Sequence, residues 1–300
     1  MIKLPSGVSL DILINDLRIL SWEAAEVMLG YSKILKDSNY KSNILQNDNK
    51  EDPVTIVDLK VNELIIKRIK DKYSDINWGI LSEENVKSNS NNSNIKADWI
   101  WVLDPLDGTK DFIQGTGNYA MHLALNYKQI PYIGIVLIPE KDELWITDGE
   151  KTWGEKRDGS KIKTPNSKNK LLQEMILVNS RNHANNTLKN IVQKINFREV
   201  IVMGSIGCKV ASIIRGETDI YISLSLPGKS SPKDWDFAAP EAILKAAGGR
   251  ITNLENEDLS YGKLMFEQRG LIIATKDNLN HEKICLDIKK IIKDYDLYAI

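Results

Sequence analysis

Three short β-rich segments follow one another between residues 119 and 148, and this group constrains the fold more than any other feature of the sequence. The segments read YAMHLALNY, YIGIVLIP and ELWITD, and they are punctuated by Pro131, Pro139 and Gly149. Turn residues at such short intervals between β-rich segments are typical of an antiparallel meander. We therefore expect an antiparallel section in the first half of the chain rather than a simple parallel sheet.

Amphipathic helices and further strands surround this meander. Apolar side chains recur at steps of three and four in residues 8–35, which predicts one long helix, and a second helix is predicted around Val61 and Ile69. Apolar segments between polar turns predict strands at 76–81, 99–104, 175–180 and 200–204. Helices are predicted at about 184–195, 207–215, 238–247 and 279–293. The alternation of helices and strands favours an α/β fold built in layers.

The chain of 300 residues is long enough for two domains, or for one domain with two halves. A polar segment, KIKTPNSKNK, follows the meander and contains the helix-stopping Pro165. We place the boundary there, which gives an N-terminal α+β half, residues 1–165, and a C-terminal α/β half, residues 166–300.

Charge and composition exclude several kinds of partner. Lys and Arg number 40 and Asp and Glu number 41, so the net charge is −1 and gives no bulk attraction for nucleic acid or anionic lipid. No segment approaches the roughly 20 apolar residues that cross a bilayer, and the N-terminus does not resemble a signal peptide. Cys208 and Cys285 are too few for a disulfide framework and fit a reduced compartment. We expect a cytoplasmic protein that binds neither a nucleic acid polymer nor a membrane.

The segment WVLDPLDGTKDF carries the most chemical information. Asp104 and Asp107 lie three residues apart at the end of a predicted strand, where their carboxylates would repel each other unless a cation lies between them. Mg²⁺ prefers such oxygen ligands. Gly108 would let backbone amides approach a ligand, and amides at a helix start attract phosphate. Asp-Pro and Asp-Gly are also common in plain turns, so this segment alone leaves both interpretations open.

Three further acidic segments favour a metal site. Each of them alone is explained by a solvated loop or a helix N-cap. Together, and in this order along the chain, they are not expected by chance. The segments are DPVTIVD with Asp52, Thr55 and Asp58, LSEEN with Glu83 and Glu84, and KDWDFAAPEAIL with Trp235 and Asp236.

The combination of D-x-V-T-x-x-D, an E-E pair after a strand, D-P-L-D-G-T and W-D-x-A-A resembles the inositol monophosphatase superfamily of Mg²⁺-dependent, lithium-sensitive phosphatases. The resemblance covers about residues 10–275 and implies a layered α-β-α-β-α sandwich of the inositol monophosphatase and sugar phosphatase type, in proteins that are often dimers. Within the superfamily the chain is most similar to 3'(2'),5'-bisphosphate nucleotidases of the CysQ type. That narrower similarity rests on Lys110 in DGTKDF and on G-S-x-G-x-K, formed by Gly204, Ser205, Gly207 and Lys209.

The resemblance also implies roles for individual residues, with two or three Mg²⁺ ions per site. One ion would be held by Glu83, Asp104, Asp107 and the backbone carbonyl of Leu106. A second ion would share Asp104 and Asp107 and add Asp236. The catalytic residues would be Asp58, Thr109 and Glu83, with Asp58 and Thr109 orienting the attacking water. Contacts to the substrate would come from Gly108, Thr109, Lys110, Ser205, Lys209 and Asp236.

The resemblance leaves three hypotheses for the function. The first is hydrolysis of adenosine 3',5'-bisphosphate, or of its sulfated relative in sulfur assimilation, to AMP and phosphate. The second is an inositol or other sugar monophosphatase. The third, an inactive binding homologue, predicts the loss of a metal ligand, and the sequence retains every one. His122 and His183 are predicted to be structural, because no catalytic triad or soft-metal motif accompanies them.

Overall fold

A computed structural model describes residues 2–35, 55–88, 95–167, 169–181 and 185–298. Two helices, α1 (Leu10–Leu35) and α2 (Ile56–Lys72), form the first layer. Their predicted apolar stripes are confirmed, since Leu13 and Leu17 of α1 and Val61 and Ile65 of α2 are buried against the first sheet. Within the described residues, no helix combines the length and apolar character needed to span a bilayer.

A seven-stranded sheet forms the second layer, with its strands side by side in chain order. The strands are β1 (Gly79–Ser82), β2 (Trp99–Asp107), β3 (Ala120–Tyr127), β4 (Ile130–Ile138), β5 (Glu143–Thr147), β6 (Thr152–Glu155) and β7 (Lys161–Ile162). Strands β1 and β2 are parallel, and every later pair is antiparallel. The predicted meander is therefore confirmed as β3, β4 and β5. Two short helices, α3 (Glu83–Ser88) and α4 (Thr109–Gln114), follow β1 and β2.

The described residues of the second half form a five-stranded sheet and four α-helices. The strands are β8 (Ile176–Ser180), β9 (Glu199–Met203), β10 (Ile220–Ser225), β11 (Arg250–Asn253) and β12 (Gly270–Thr275), in the order β11-β12-β10-β8-β9. The helices are α5 (Asn186–Ile195), α6 (Ile206–Ile214), α7 (Asp234–Ala246) and α8 (His281–Asp294). Helices α6 and α7 share one buried core with both sheets, whereas α5 and α8 cover the outer face of the second sheet. The expected α-β-α-β-α layering is confirmed.

Helix α7 begins earlier than its apolar pattern predicts. The sequence pattern predicts a start near residue 238, but the helix begins at Asp234. The first-turn side chain of Asp236 accepts a hydrogen bond from the backbone N–H of Lys233, which caps the helix. Capping by this carboxylate extends the helix in the N-terminal direction over polar residues, which an apolar pattern does not reveal. It also makes Asp236 part of a fixed turn.

A buried carboxyl on α7 leads to a testable prediction about stability. Glu241 is 6% exposed and accepts a hydrogen bond from the Tyr261 hydroxyl, and burial raises the pKa of Glu241 to about 7. An acid with a raised pKa stabilises the fold while it is protonated, and this stability is lost as the pH rises through the folded-state pKa. In urea titrations at pH 8 we expect the free energy of unfolding of Glu241→Gln to exceed that of the parent protein by about 1–3 kcal/mol. At pH 4.5 the two proteins should differ little. Glu199→Gln, at an exposed position of β9, is the matched control. An equal difference at both pH values would contradict the prediction.

Candidate metal centre

Four carboxylates from both halves of the chain meet at one end of the first sheet. In the parallel pair β1–β2, Ser82 lies opposite Leu103, so that Glu83 and Asp104 follow at the same edge. Asp107 ends β2, and Asp236 approaches from the first turn of α7. Asp104 is 1% exposed, and burial together with the charges of Glu83, Asp107 and Asp236 holds its pKa well above the usual range. Burial and the charges of Asp107 and Glu83 also raise the pKa of Asp236.

A local break in the sheet turns β2 toward the site. Asp104 pairs with His122 and Asp107 pairs with Ala120, so the register shifts between the two aspartates. This irregularity accommodates Pro105 inside a strand, where a proline cannot donate to the ladder. The Leu106 amide donates to Asp104 Oδ1 at 3.0 Å, and the Leu106 carbonyl accepts from Thr109 Oγ1 at 3.1 Å. These bonds fix the backbone of Leu106, whose carbonyl is a predicted ligand between the predicted ligands Asp104 and Asp107.

Gly108 makes the sharp turn from β2 into α4. Its φ is +87°, in the left-handed region, and it is the N-cap of α4. A Cβ on Gly108 would lie 3.0 Å from the Asn118 carbonyl oxygen and 3.1 Å from the Ser205 amide nitrogen. A side chain at this position would be both strained and crowded, which explains the glycine of the DGT segment.

Asp58 and Thr109 are brought together although 51 residues separate them. Thr109 Oγ1 lies 3.4 Å from Asp58 Oδ1, while Asp58 Oδ2 accepts from the amide and the hydroxyl of Thr55 at 2.8 and 2.5 Å. Asp58 is 2% exposed, and burial raises its pKa to about 7. One of its oxygens is thus fixed by Thr55, and the other faces Thr109. Asp52 of the same segment lies outside the described residues.

Ser205 contacts a predicted metal ligand. Its hydroxyl donates to Asp107 Oδ2 at 2.7 Å and accepts from the Cys208 amide at 3.3 Å, so that it caps α6. Its φ of +23° is unusual for a residue with a side chain. The resemblance implies that Ser205 contacts the substrate, and in the fold its hydroxyl contacts Asp107 and the first turn of α6.

The two predicted lysines differ in their surroundings. Lys209 is 2% exposed; its Nζ donates to the Ser205 carbonyl at 3.3 Å and lies 5.2 Å from the centre of the Tyr221 ring. Burial lowers the pKa of Lys209. Lys110 is half-buried in the first turn of α4, and its side chain forms no hydrogen bond or ion pair with another described residue. Lys110 is therefore the more accessible of the two cations beside the carboxylates.

His122 and Lys87 belong to the site but were not predicted there. His122 is fully buried on β3, its Nε2 lies 3.3 Å from Asp107 Oδ2, and burial lowers its pKa. Lys87 on α3 forms an ion pair with Glu83 at 2.9 Å. The four-residue spacing of Glu83 and Lys87 could have indicated that pair. The position of His122 depends on the pairing of β2 with β3, which no local sequence pattern contains. His183 lies outside the described residues.

The donor set fits a hard divalent cation. Carboxylates from four residues and one backbone carbonyl supply only oxygen atoms, and these are the ligands that Mg²⁺ prefers. Buried carboxylates that repel one another need a compensating positive charge. Among the described residues, ligand atoms of Asp104, Asp107 and His122 lie within 4.8 Å of one another, a spacing that could hold a metal ion. A divalent cation held by these carboxylates would place positive charge near the start of α4.

The chain is similar to known phosphatases. The model of the inositol monophosphatase family matches residues 12–293. The 3'(2'),5'-bisphosphate nucleotidase CysQ of Buchnera aphidicola subsp. Acyrthosiphon pisum is 34% identical over 211 residues, covering 70% of this chain and 74% of that protein. A fructose-1,6-bisphosphatase/inositol-1-monophosphatase of Thermotoga maritima is 24% identical over 255 residues, covering 84% of this chain and 88% of that protein.

The solved structures give the same result for the fold. Inositol monophosphatase II from Staphylococcus aureus MSSA476 superimposes with a TM-score of 0.69 at 25% identity, covering 95% of this chain and 96% of that one. The inositol monophosphatase of Thermotoga maritima superimposes with a TM-score of 0.69 at 20% identity. The family match spans nearly the whole chain, and the chain therefore belongs to the inositol monophosphatase family and is a phosphatase.

Proposed function

We propose that this phosphatase removes one phosphate from adenosine 3',5'-bisphosphate, giving AMP and phosphate, and that it uses two or three Mg²⁺ ions. The observation that carries the proposal is the position of Lys110, a half-buried cation one residue from Thr109 at the start of α4. A substrate with a second phosphate would use such a cation, whereas a monophosphate would not need it. The similarity to the CysQ nucleotidase of Buchnera aphidicola supports the same substrate class.

The residues divide into ligands and groups that act on water or substrate. One Mg²⁺ would be held by Glu83, Asp104, Asp107 and the Leu106 carbonyl, and another by Asp104, Asp107 and Asp236. When bound, these ions supply positive charge that offsets the carboxylates and the substrate phosphate and makes water more acidic.

Asp58 and Thr109 are suited to orient the attacking water. Asp58 Oδ2 is held by Thr55, so Oδ1 is the oxygen that can accept a proton passed through Thr109. A pKa of about 7 suits a general base at neutral pH. The amides of Gly108 and Thr109 would bind the phosphate at the helix start.

Two other functions are the alternatives to this one. An inositol or other sugar monophosphatase is favoured by the 25% identity to the Staphylococcus aureus inositol monophosphatase. An inactive binding homologue is disfavoured, because Glu83, Asp104, Asp107 and Asp236 are all retained and lie close enough to raise the pKa of Asp104.

A substrate panel with Mg²⁺ separates these functions. We expect kcat/KM for adenosine 3',5'-bisphosphate to exceed that for inositol 1-phosphate by about 100-fold, the size expected when a polar substrate contact is lost. Lys110→Met should raise KM about fivefold for the bisphosphate and leave 3'-AMP unaffected, since a partly exposed charge pair contributes about 1 kcal/mol. A preference for inositol 1-phosphate would establish the alternative, and no activity on any ester would favour the binding homologue.

A further inference from the structure

His122 lies behind Asp107, on the side away from solvent. It is fully buried, and the residues two positions before and after it on β3 are Ala120 and Ala124. These small neighbours share its face of the strand and belong to the core that contains α6 and α7. The imidazole is therefore packed between the sheet and the helices that carry Ser205 and Asp236.

The hydrogen bonds of the imidazole define its tautomer. His122 Nε2 accepts from the Gly207 amide at 3.1 Å, so the ring proton is on Nδ1. Among the described residues, Nδ1 has no hydrogen-bond partner. His122 thus contacts the first turn of α6 through Nε2.

The first turn of α6 holds one oxygen of Asp107. Asp107 Oδ2 accepts from Ser205 Oγ at 2.7 Å and from the Ile206 amide at 2.5 Å. The next amide along the helix, that of Gly207, donates to His122 instead. A Cβ on Gly207 would lie 2.3 Å from His122 Nε2, so the helix start and the imidazole are in direct contact. With Oδ2 occupied by these donors, Oδ1 of Asp107 remains for a metal ion.

We propose that His122 is a positioning residue for the metal centre: it accepts the Gly207 amide, fixes the first turn of α6, and thereby keeps Asp107 Oδ2 turned inward and Oδ1 toward Mg²⁺. Without the imidazole, the buried Gly207 amide would lose its acceptor, and the turn that carries Ser205 and Ile206 would shift to find another. This inference rests on the proposed metal ligands. It does not depend on which phosphate ester is the substrate.

The test measures Mg²⁺ affinity of the full chain by titration calorimetry without substrate. We expect His122→Leu to raise the Kd for Mg²⁺ at least about tenfold, the effect usual for groups that orient metal ligands. His122→Gln should recover most of the affinity, because its side-chain oxygen can accept at the position of Nε2. The matched control is His281→Leu, which removes an equally buried histidine held by Thr252 and Thr275 at 2.8 Å each. It should leave the Kd unchanged even where it lowers the Tm.

Gly207→Ala gives a second approach if His122→Leu does not fold. The added methyl group would push against His122 Nε2, and we expect it to weaken Mg²⁺ binding in the same direction. An unchanged Kd in His122→Leu, or a Kd in His122→Gln as high as that in His122→Leu, would overturn the inference. Nitrogen coupling in the pulsed EPR spectrum of the Mn²⁺-loaded protein would also overturn it, since His122 would then be a ligand. Failure of the parent protein to bind Mg²⁺ would instead refute the proposed function.

Discussion

Replacing Asp104 by Asn is expected to lower kcat/KM by about a thousandfold or more and to stabilise the protein when no divalent cation is present. Asp104 is the most buried of the four carboxylates and is shared by both proposed ions. Losing a ligand common to both would remove several kcal/mol of charge stabilisation in the transition state, and a thousandfold corresponds to about 4 kcal/mol. In the metal-free protein the neutral amide no longer repels Glu83, Asp107 and Asp236.

Two measurements on the same variant check these opposite effects. Steady-state kinetics with saturating Mg²⁺ gives the loss of activity, and urea unfolding in EDTA at pH 8 gives the gain in stability. Asp234→Asn is the matched control: Asp234 is equally buried two residues before Asp236, but it is bound by Gly262 and Gln268 at 2.7 Å each. It should retain most of the activity. Near-normal activity in Asp104→Asn would show that the ligand assignment is wrong.

Removing divalent cations is expected to destabilise the protein, and the effect should grow with pH. Burial raises the pKa of Asp58 to about 7 and holds the pKa of Asp104 and Asp236 well above their usual range. Groups with raised folded-state pKa values stabilise the fold below their unfolded values, and this contribution is lost as the pH rises through the folded values. As the pH rises, Asp58, Asp104 and Asp236 therefore lose their protons, and the metal-free cluster gains charge that repels itself.

Thermal unfolding with EDTA and with Mg²⁺ measures this dependence. A ligand present at 100 times its Kd adds about 2.7 kcal/mol, and for a chain of this length about 2 °C of Tm corresponds to each kcal/mol. We expect Mg²⁺ to raise Tm by about 5 °C at pH 8 and by about 1 °C or less at pH 5, where protons compete for the ligands. Asp104→Asn should abolish most of the shift. A shift of the same size at both pH values would contradict the prediction.

The layered fold and the chemistry of the site were predictable where the information is local. The periodicity of α1 and α2 follows from their own residues, and so does the meander of β3 to β5. The segment from Asp104 to Thr109 contains two carboxylates, a turn and a helix start within six residues. Such a segment predicts a metal site before any tertiary contact is known, because the backbone itself brings these groups together.

Features that depend on distant contacts were not predictable. The contact between His122 and Asp107 requires the register of β2 against β3 together with the bulge between Asp104 and Asp107. The hydrogen bond of Ser205 to Asp107 joins residues that are 98 positions apart. The burial of Lys209 follows from the packing of α6 against the second sheet, which no helical pattern reveals. A glycine, serine and lysine motif therefore indicates where the site lies but not which way each side chain points.

The order in which the ligands occur along the chain has a consequence for synthesis of the protein. Glu83, Asp104 and Asp107 belong to the first sheet, but Asp236 and the donors that hold Asp107 come from α6 and α7, which pack against both sheets. A growing polypeptide emerges from the ribosome N-terminus first. The three carboxylates that repel one another are therefore synthesised long before Asp236, the fourth. Incomplete chains should therefore be unable to hydrolyse phosphate esters, and activity should appear only after α7 has been translated and has docked.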